Sequence, residues 1–112
     1  MTNEEKKLAA GIEPTNEIGM KLGIFMQNIS VWIDEDEAVK VFIEVTPVKG
    51  DKLLQDLDII CVFYDNEGSI ISKESSGLYK DEFLAFDVVE FSNFEEGLAG
   101  KIARARIYPK VL

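Results

Sequence analysis

The sequence predicts an all-β fold, an antiparallel sandwich of about six or seven strands of the immunoglobulin or fibronectin kind, on three observations. Apolar residues recur at every second position in several short runs. Turn-forming residues separate those runs at short intervals. No amphipathic helix alternates with them, as it would in a parallel α/β sheet.

Residues 1–17 are polar and broken by Gly11 and Pro14. Asn3 is positioned to cap a single turn running through Leu8 to Ala10, but so short a helix is marginal alone. These residues are expected to form a flexible N-terminal arm, with residues 18–112 as a single sandwich domain.

In the first dense segment Ile18, Met20, Leu22, Ile24 and Met26 alternate, and the phase slips at Gln27-Asn28 before Ile29, Val31 and Ile33. One slip in a period of two predicts a bulged strand or two strands joined by a tight turn. A helix competes, because Ile18, Leu22, Phe25, Ile29 and Trp32 share helical spacing. Two glycines and several β-branched residues favour the strand.

Val39, Val41, Ile43 and Val45 predict the next strand, closed by Pro47, which lacks a ladder donor. Leu57, Ile59, Cys61 and Phe63 line one face of a third strand and Ile60, Val62 and Tyr64 the other. A strand apolar on both faces belongs in the middle of a sheet. Asp65-Asn66-Glu67-Gly68 follows, with Gly68 able to take the positive φ of a short hairpin. Ser69 to Ser75 returns as a short, polar edge strand. Phe83 to Phe91 and Ile102 to Tyr108 complete the set.

With 112 residues, 46% of them apolar, the chain is one domain able to fill its own core without a metal or disulfide. Its formal charge of -9 opposes nucleic-acid binding, which cationic side chains drive. The charge suits solubility or a basic partner. There is no histidine, so the commonest general base and transition-metal ligand are both missing. Neither the phosphate-loop nor the dinucleotide glycine spacing occurs, and Gly97-Leu98-Ala99-Gly100-Lys101 has the wrong interval. No cofactor is expected. Nor is membrane insertion, since no run approaches roughly 18 apolar residues. The polar N-terminus has no secretory apolar region, which makes a cytoplasmic location the expectation, although a fragment of an exported protein would look the same.

Asp34-Glu35-Asp36-Glu37 is the sharpest local feature. Asp34 and Asp36 are candidate ligands for a hard cation such as calcium, against the plainer reading of a hydrated turn. Trp32 just before it is either partly buried core or, with Glu35 and Glu37, a contact surface for a partner or a sugar. Asp56, Asp58, Glu82, Asp87, Glu90, Glu95 and Glu96 leave room for a carboxylate pair of the glycosidase type, which requires a cleft. Ser30 and Ser75-Ser76 have no histidine to activate them. Arg104 and Arg106 share a strand face, for pairing with the surplus acids or for an anion. Cys61, alone in an apolar strand, reads as a small buried hydrophobe.

The segment Val62-Phe63-Tyr64-Asp65-Asn66-Glu67-Gly68-Ser69-Ile70-Ile71 resembles the FxLYD-type immunoglobulin-like domains of bacteria. Leu78 to Phe86 is similar to the turn before their Phe-bearing strand. The likeness spans residues 39–91, and Val45-Thr46-Pro47-Val48 departs from it by lacking the usual Gly and Asn. It implies a non-catalytic adhesion or interaction module and carries over no functional residue.

These readings rank a protein-interaction module first, acting by self-association or by capture of a protein partner, with sheet edges as one means. A calcium or carbohydrate site at Trp32 and Asp34–Glu37 is the alternative. A carboxylate-based hydrolase is the residual one.

Overall fold

The computed structural model describes all 112 residues. In chain order the elements are α1 (Asn3–Ala10), β1 (Ile12–Pro14), α2 (Asn16–Lys21), β2 (Ile24–Ile33), β3 (Val39–Pro47), β4 (Leu57–Tyr64), β5 (Ile70–Leu78), β6 (Asp87–Asn93), a 3-10 turn (Leu98–Lys101) and β7 (Arg104–Val111). The seven strands form a β-sandwich of two sheets, in the orders β1-β7-β4-β5 and β2-β3-β6. No helix is long and apolar enough to cross a membrane.

The alternation read from the sequence sets the packing. Val39, Val41, Ile43 and Val45 of β3 are buried and face Leu57, Ile59, Cys61 and Phe63 of β4 within one core cluster. Strand β4 is central, between β5 and β7, as its two apolar faces require. The β4–β5 hairpin turns on Gly68 at φ 81, while the Asp65 carboxylate accepts from the backbone of Glu67 and Ser69, both at 2.9 Å. The phase slip also appears: the β2–β3 register shifts between Gln27 and Ser30, where Asn28 takes φ 57.

The N-terminal seventeen residues correct the sequence reading. They are ordered and close one side of the sandwich. Thr2, not Asn3, caps α1: its hydroxyl accepts from Glu5 N at 3.1 Å, and Glu5 returns a carboxylate to Thr2 N at 2.7 Å. This reciprocal box, together with burial of Leu8 and Ile12 in the core, holds a helix too short to persist alone. Strand β1 then pairs parallel with β7, so the expected all-antiparallel pattern fails at that edge.

A second correction concerns Ile18 to Leu22, which belongs to α2 and its C-cap. The helical spacing wins up to Lys21, then Gly23 at φ 89 reverses the chain into β2. A third concerns the strand expected over Phe83 to Phe91: it is β6, and it begins at Asp87 rather than Phe83. Ala85 sits at φ 67 and donates to Asp51 O at 2.8 Å, so residues before it form a turn that buries Phe83 alone. The last strand starts at Arg104 and runs on to Val111.

The outer edge of β2 is not free to take another strand. Asn16 mimics a neighbouring strand, donating to Met26 O at 2.9 Å and accepting from Met26 N at 2.8 Å. Glu5 accepts from Ile33 N at 2.8 Å, and the Met1 sulfur accepts from Val31 N at 3.3 Å. Asn16→Ala should therefore lower stability by about 1–3 kcal/mol, because two strand groups lose their partner at once. Urea denaturation measures it.

Backbone donors from Thr2 and Ile33 hold the Glu5 carboxyl below the usual carboxylate range, with burial opposing them. A lowered folded pKa means that its contribution is complete above the unfolded value and is lost as pH falls through the folded one. Thermal melts of wild type and Glu5→Gln should differ most at neutral pH and converge in acid.

On the opposite side of the sandwich, the inward face of β5 is polar over Ser72, Glu74 and Ser76, ahead of the buried Leu78. Asn93 donates to Ser72 at 2.7 Å and to Glu74 at 2.9 Å, joining β6 to the edge strand. Inward-pointing polar residues of this kind blunt an edge against association.

Candidate functional site

The β2–β3 hairpin fixes the site. Asp34 Oδ1 accepts from Asp36 N and Ala38 N, each at 2.9 Å, and Glu37 occupies the left-handed region at φ 62. The loop before β7 braces this turn from outside: Gly97 N donates to Asp36 O at 2.8 Å and Ala99 N to Glu37 O at 2.9 Å. The tight turn sets Trp32 opposite Lys40, and Lys40 opposite Ser92 of β6. Phe94, one residue past β6, comes to the same end of the sheet.

Trp32 is 61% exposed and Phe94 74% exposed, so neither ring is core. Between them Lys40 places its Nζ 5.8 Å from the Trp32 centroid and 6.0 Å from the Phe94 centroid, within reach of cation–π attraction. Glu90 steadies the same ammonium at 3.8 Å. The rings flank a hollow of about 210 Å³ floored by Ala38, Val39 and Lys40, with Asp34 on its rim. Asp34 to Glu37 are all exposed.

The indole of Trp32 is thus a solvent-facing group and not part of the core. Two exposed aromatic planes about an ammonium, next to an acidic turn, can stack on an apolar or sugar face and attract a cation at the rim. The arrangement is less suited to calcium. No three of the Asp, Glu and Cys side chains are grouped to hold a metal ion, and one Asp34 oxygen already serves two backbone donors. Asp34 is the sole carboxylate in the hollow, so the pair needed for glycoside hydrolysis is not assembled there.

Lys40 and Phe94 escaped the sequence reading. Lys40 was legible in principle, since Trp32 and Lys40 stand equally far on either side of Asp36, the centre of the turn. Phe94 carries no local signal, because only the β3–β6 pairing brings it to the hairpin.

The two arginines and Cys61 are engaged within the fold. Arg106 pairs with Glu13 at 3.8 Å, whereas Arg104 stacks on Tyr64 at 4.1 Å. Cys61 is buried in β4, and burial, aided by the Glu74 charge, pushes its thiol up to about 12. A thiol reagent at pH 8 should therefore modify the native protein only as fast as it opens, with prompt reaction in urea.

No family model matches the sequence, and no curated protein is similar to it. Two solved structures share the architecture. A DUF1425 family member from Shewanella sp. pv-4 superposes with a TM-score of 0.53 at 12% identity, over 80% of this chain and 78% of that one. Campylobacter jejuni Cj0090 gives a TM-score of 0.51 at 7% identity, over 91% of this chain and 98% of that one. At such identities the likeness defines the class, a small two-sheet β domain, and nothing finer.

Proposed function

We propose that the protein is a non-catalytic interaction module whose contact surface is the Trp32–Phe94 corner, and that its partner is a protein segment combining apolar and basic side chains. The observation that carries this reading is the pair of large aromatic rings left in solvent around a hollow, next to an acidic turn. Hydrating such rings is unfavourable, and an aromatic anchor with a charged rim is the usual make-up of a binding hot spot. The FxLYD-type, immunoglobulin-like likeness at residues 62–71 fits the same role.

The test is affinity capture from the native host with wild type and with Trp32→Ala/Phe94→Ala. Specific retention of a protein by wild type, lost in the double variant at unchanged melting temperature, is the expected result. Identical retention by both proteins, or none by either from a protein that also stays monomeric at every concentration, removes the reading.

A second reading, a carbohydrate stacked on the same rings, is favoured by the polar Asp34 and Lys40 beside them. Trp32 is the sole tryptophan, so its emission reports both cases. A glycan panel that shifts that emission selects the sugar.

A further inference from the structure

The opposite end of the β2–β3 hairpin carries the complement of the aromatic corner. Strand β2 spans ten residues, which at about 3.3 Å each separates its ends by roughly 30 Å. At its start, Met20, Lys21, Gly23, Val48, Lys49, Lys52 and Leu54 line a hollow of about 190 Å³. Leu54 is 75% exposed and Met20 55%, and Val48 stands in solvent beside them. Three lysines line it and no acid does. None of the three is ion-paired, on a chain with 21 acidic and 12 basic residues. Exposed aliphatic groups ringed by unpaired ammonium groups suit an occupant that is apolar and anionic.

We infer that a second copy of this chain fills the hollow, its Trp32–Phe94 corner and Asp34–Glu37 turn docking head to tail against Lys21, Lys49 and Lys52. This rests on the corner's reading as a contact surface and names its partner. The acidic turn is opposite in sign to the three lysines, Glu90 offsets the Lys40 ammonium between the rings, and both ends expose apolar side chains. The net charge of -9 repels a second copy as it does an anionic membrane. What favours the copy is that it brings exposed aromatic rings, Trp32 and Phe94, which Met20, Val48 and Leu54 would cover, next to its acidic turn. Because the two surfaces are different and lie at opposite ends, the contact is heterologous and leaves one of each free on every added copy. Each end is small, on a molecule measuring 39 × 25 × 20 Å. The contact therefore belongs among weak interfaces, populated at high concentration.

Sedimentation velocity from about 10 μM to about 1 mM in low salt reads the contact directly. The expected result is a mass that grows with concentration and falls back at high salt. Lys21→Glu/Lys49→Glu/Lys52→Glu should weaken association at least tenfold, and so should Glu35→Lys/Glu37→Lys, since each juxtaposes like charges. Mixed together, the two variants should associate again, because each restores the sign the other lacks. Monomer at every concentration, or association that neither variant alters, overturns the inference. Vesicles of mixed phosphatidylserine and phosphatidylcholine form the second arm: retention lost in the triple lysine variant, with the protein otherwise monomeric, assigns the lysines to lipid and likewise overturns it. A monomer whose Trp32→Ala/Phe94→Ala variant still loses a captured host protein separates failure of self-pairing from failure of the corner.

Discussion

Removing residues 1–15 should abolish cooperative folding or lower the urea midpoint drastically. The deletion strips Leu8 and Ile12 from the core, each worth about 1.5–3 kcal/mol of burial. It also takes away the β1 partner of β7 and the Glu5 and Met1 acceptors along β2. The strand donors freed at the uncovered edge regain water, so each lost bond adds only about 0.5–1.5 kcal/mol. A domain of this size has a total stability of only about 5–15 kcal/mol. Exposed edges on both sheets should make the truncated chain aggregate. Full-length Ile12→Ala keeps the edges covered and should cost about 2–5 kcal/mol. Truncated protein that melts like wild type would show that the segment is the dispensable arm its sequence suggests.

The second large effect is Phe63→Ala. Phe63 lies on the central strand with 1% of its surface exposed. Its cross-strand neighbours are Ser72 on β5 and Ala105 on β7, so one large ring stands between two small side chains. Neither neighbour can lean into the vacated space. The cost should reach the upper part of the range for such truncations, about 3–5 kcal/mol. Phe63→Leu keeps most of the volume and should cost markedly less. Equal losses for the two variants would mean that ring volume is not what holds the sheets together there.

The contrast between these two sites explains what the sequence disclosed. Phe63, Val41 and the Asp65–Gly68 turn were legible because alternation and turn chemistry are local signals, and the sheet core follows from them. The role of residues 1–17 was not legible. Asn16 and Glu5 work through partners at positions 26 and 33, and nothing in a polar stretch announces a hydrogen bond to a strand it does not adjoin. The same reason hid Phe94. Trp32 and the acidic turn were recognisable as a pair, but whether the indole faced core or water depended on the bulge at Gln27 to Ser30, which resets which side of β2 points inward. Leu54 and Val48 carry no local signal and Met20 falls within an alternating run; only the folded hairpin end gathers them beside three lysines.

Acrylamide quenching of Trp32 emission tests the functional account at its root, since the indole is the sole one in the chain. In dilute protein, quenching should approach that of a free indole in water, with red-shifted emission, and should fall when the partner surface is supplied. Blue-shifted emission already shielded from acrylamide in the dilute monomer would place the ring inside the protein, and the contact surface with it would be gone.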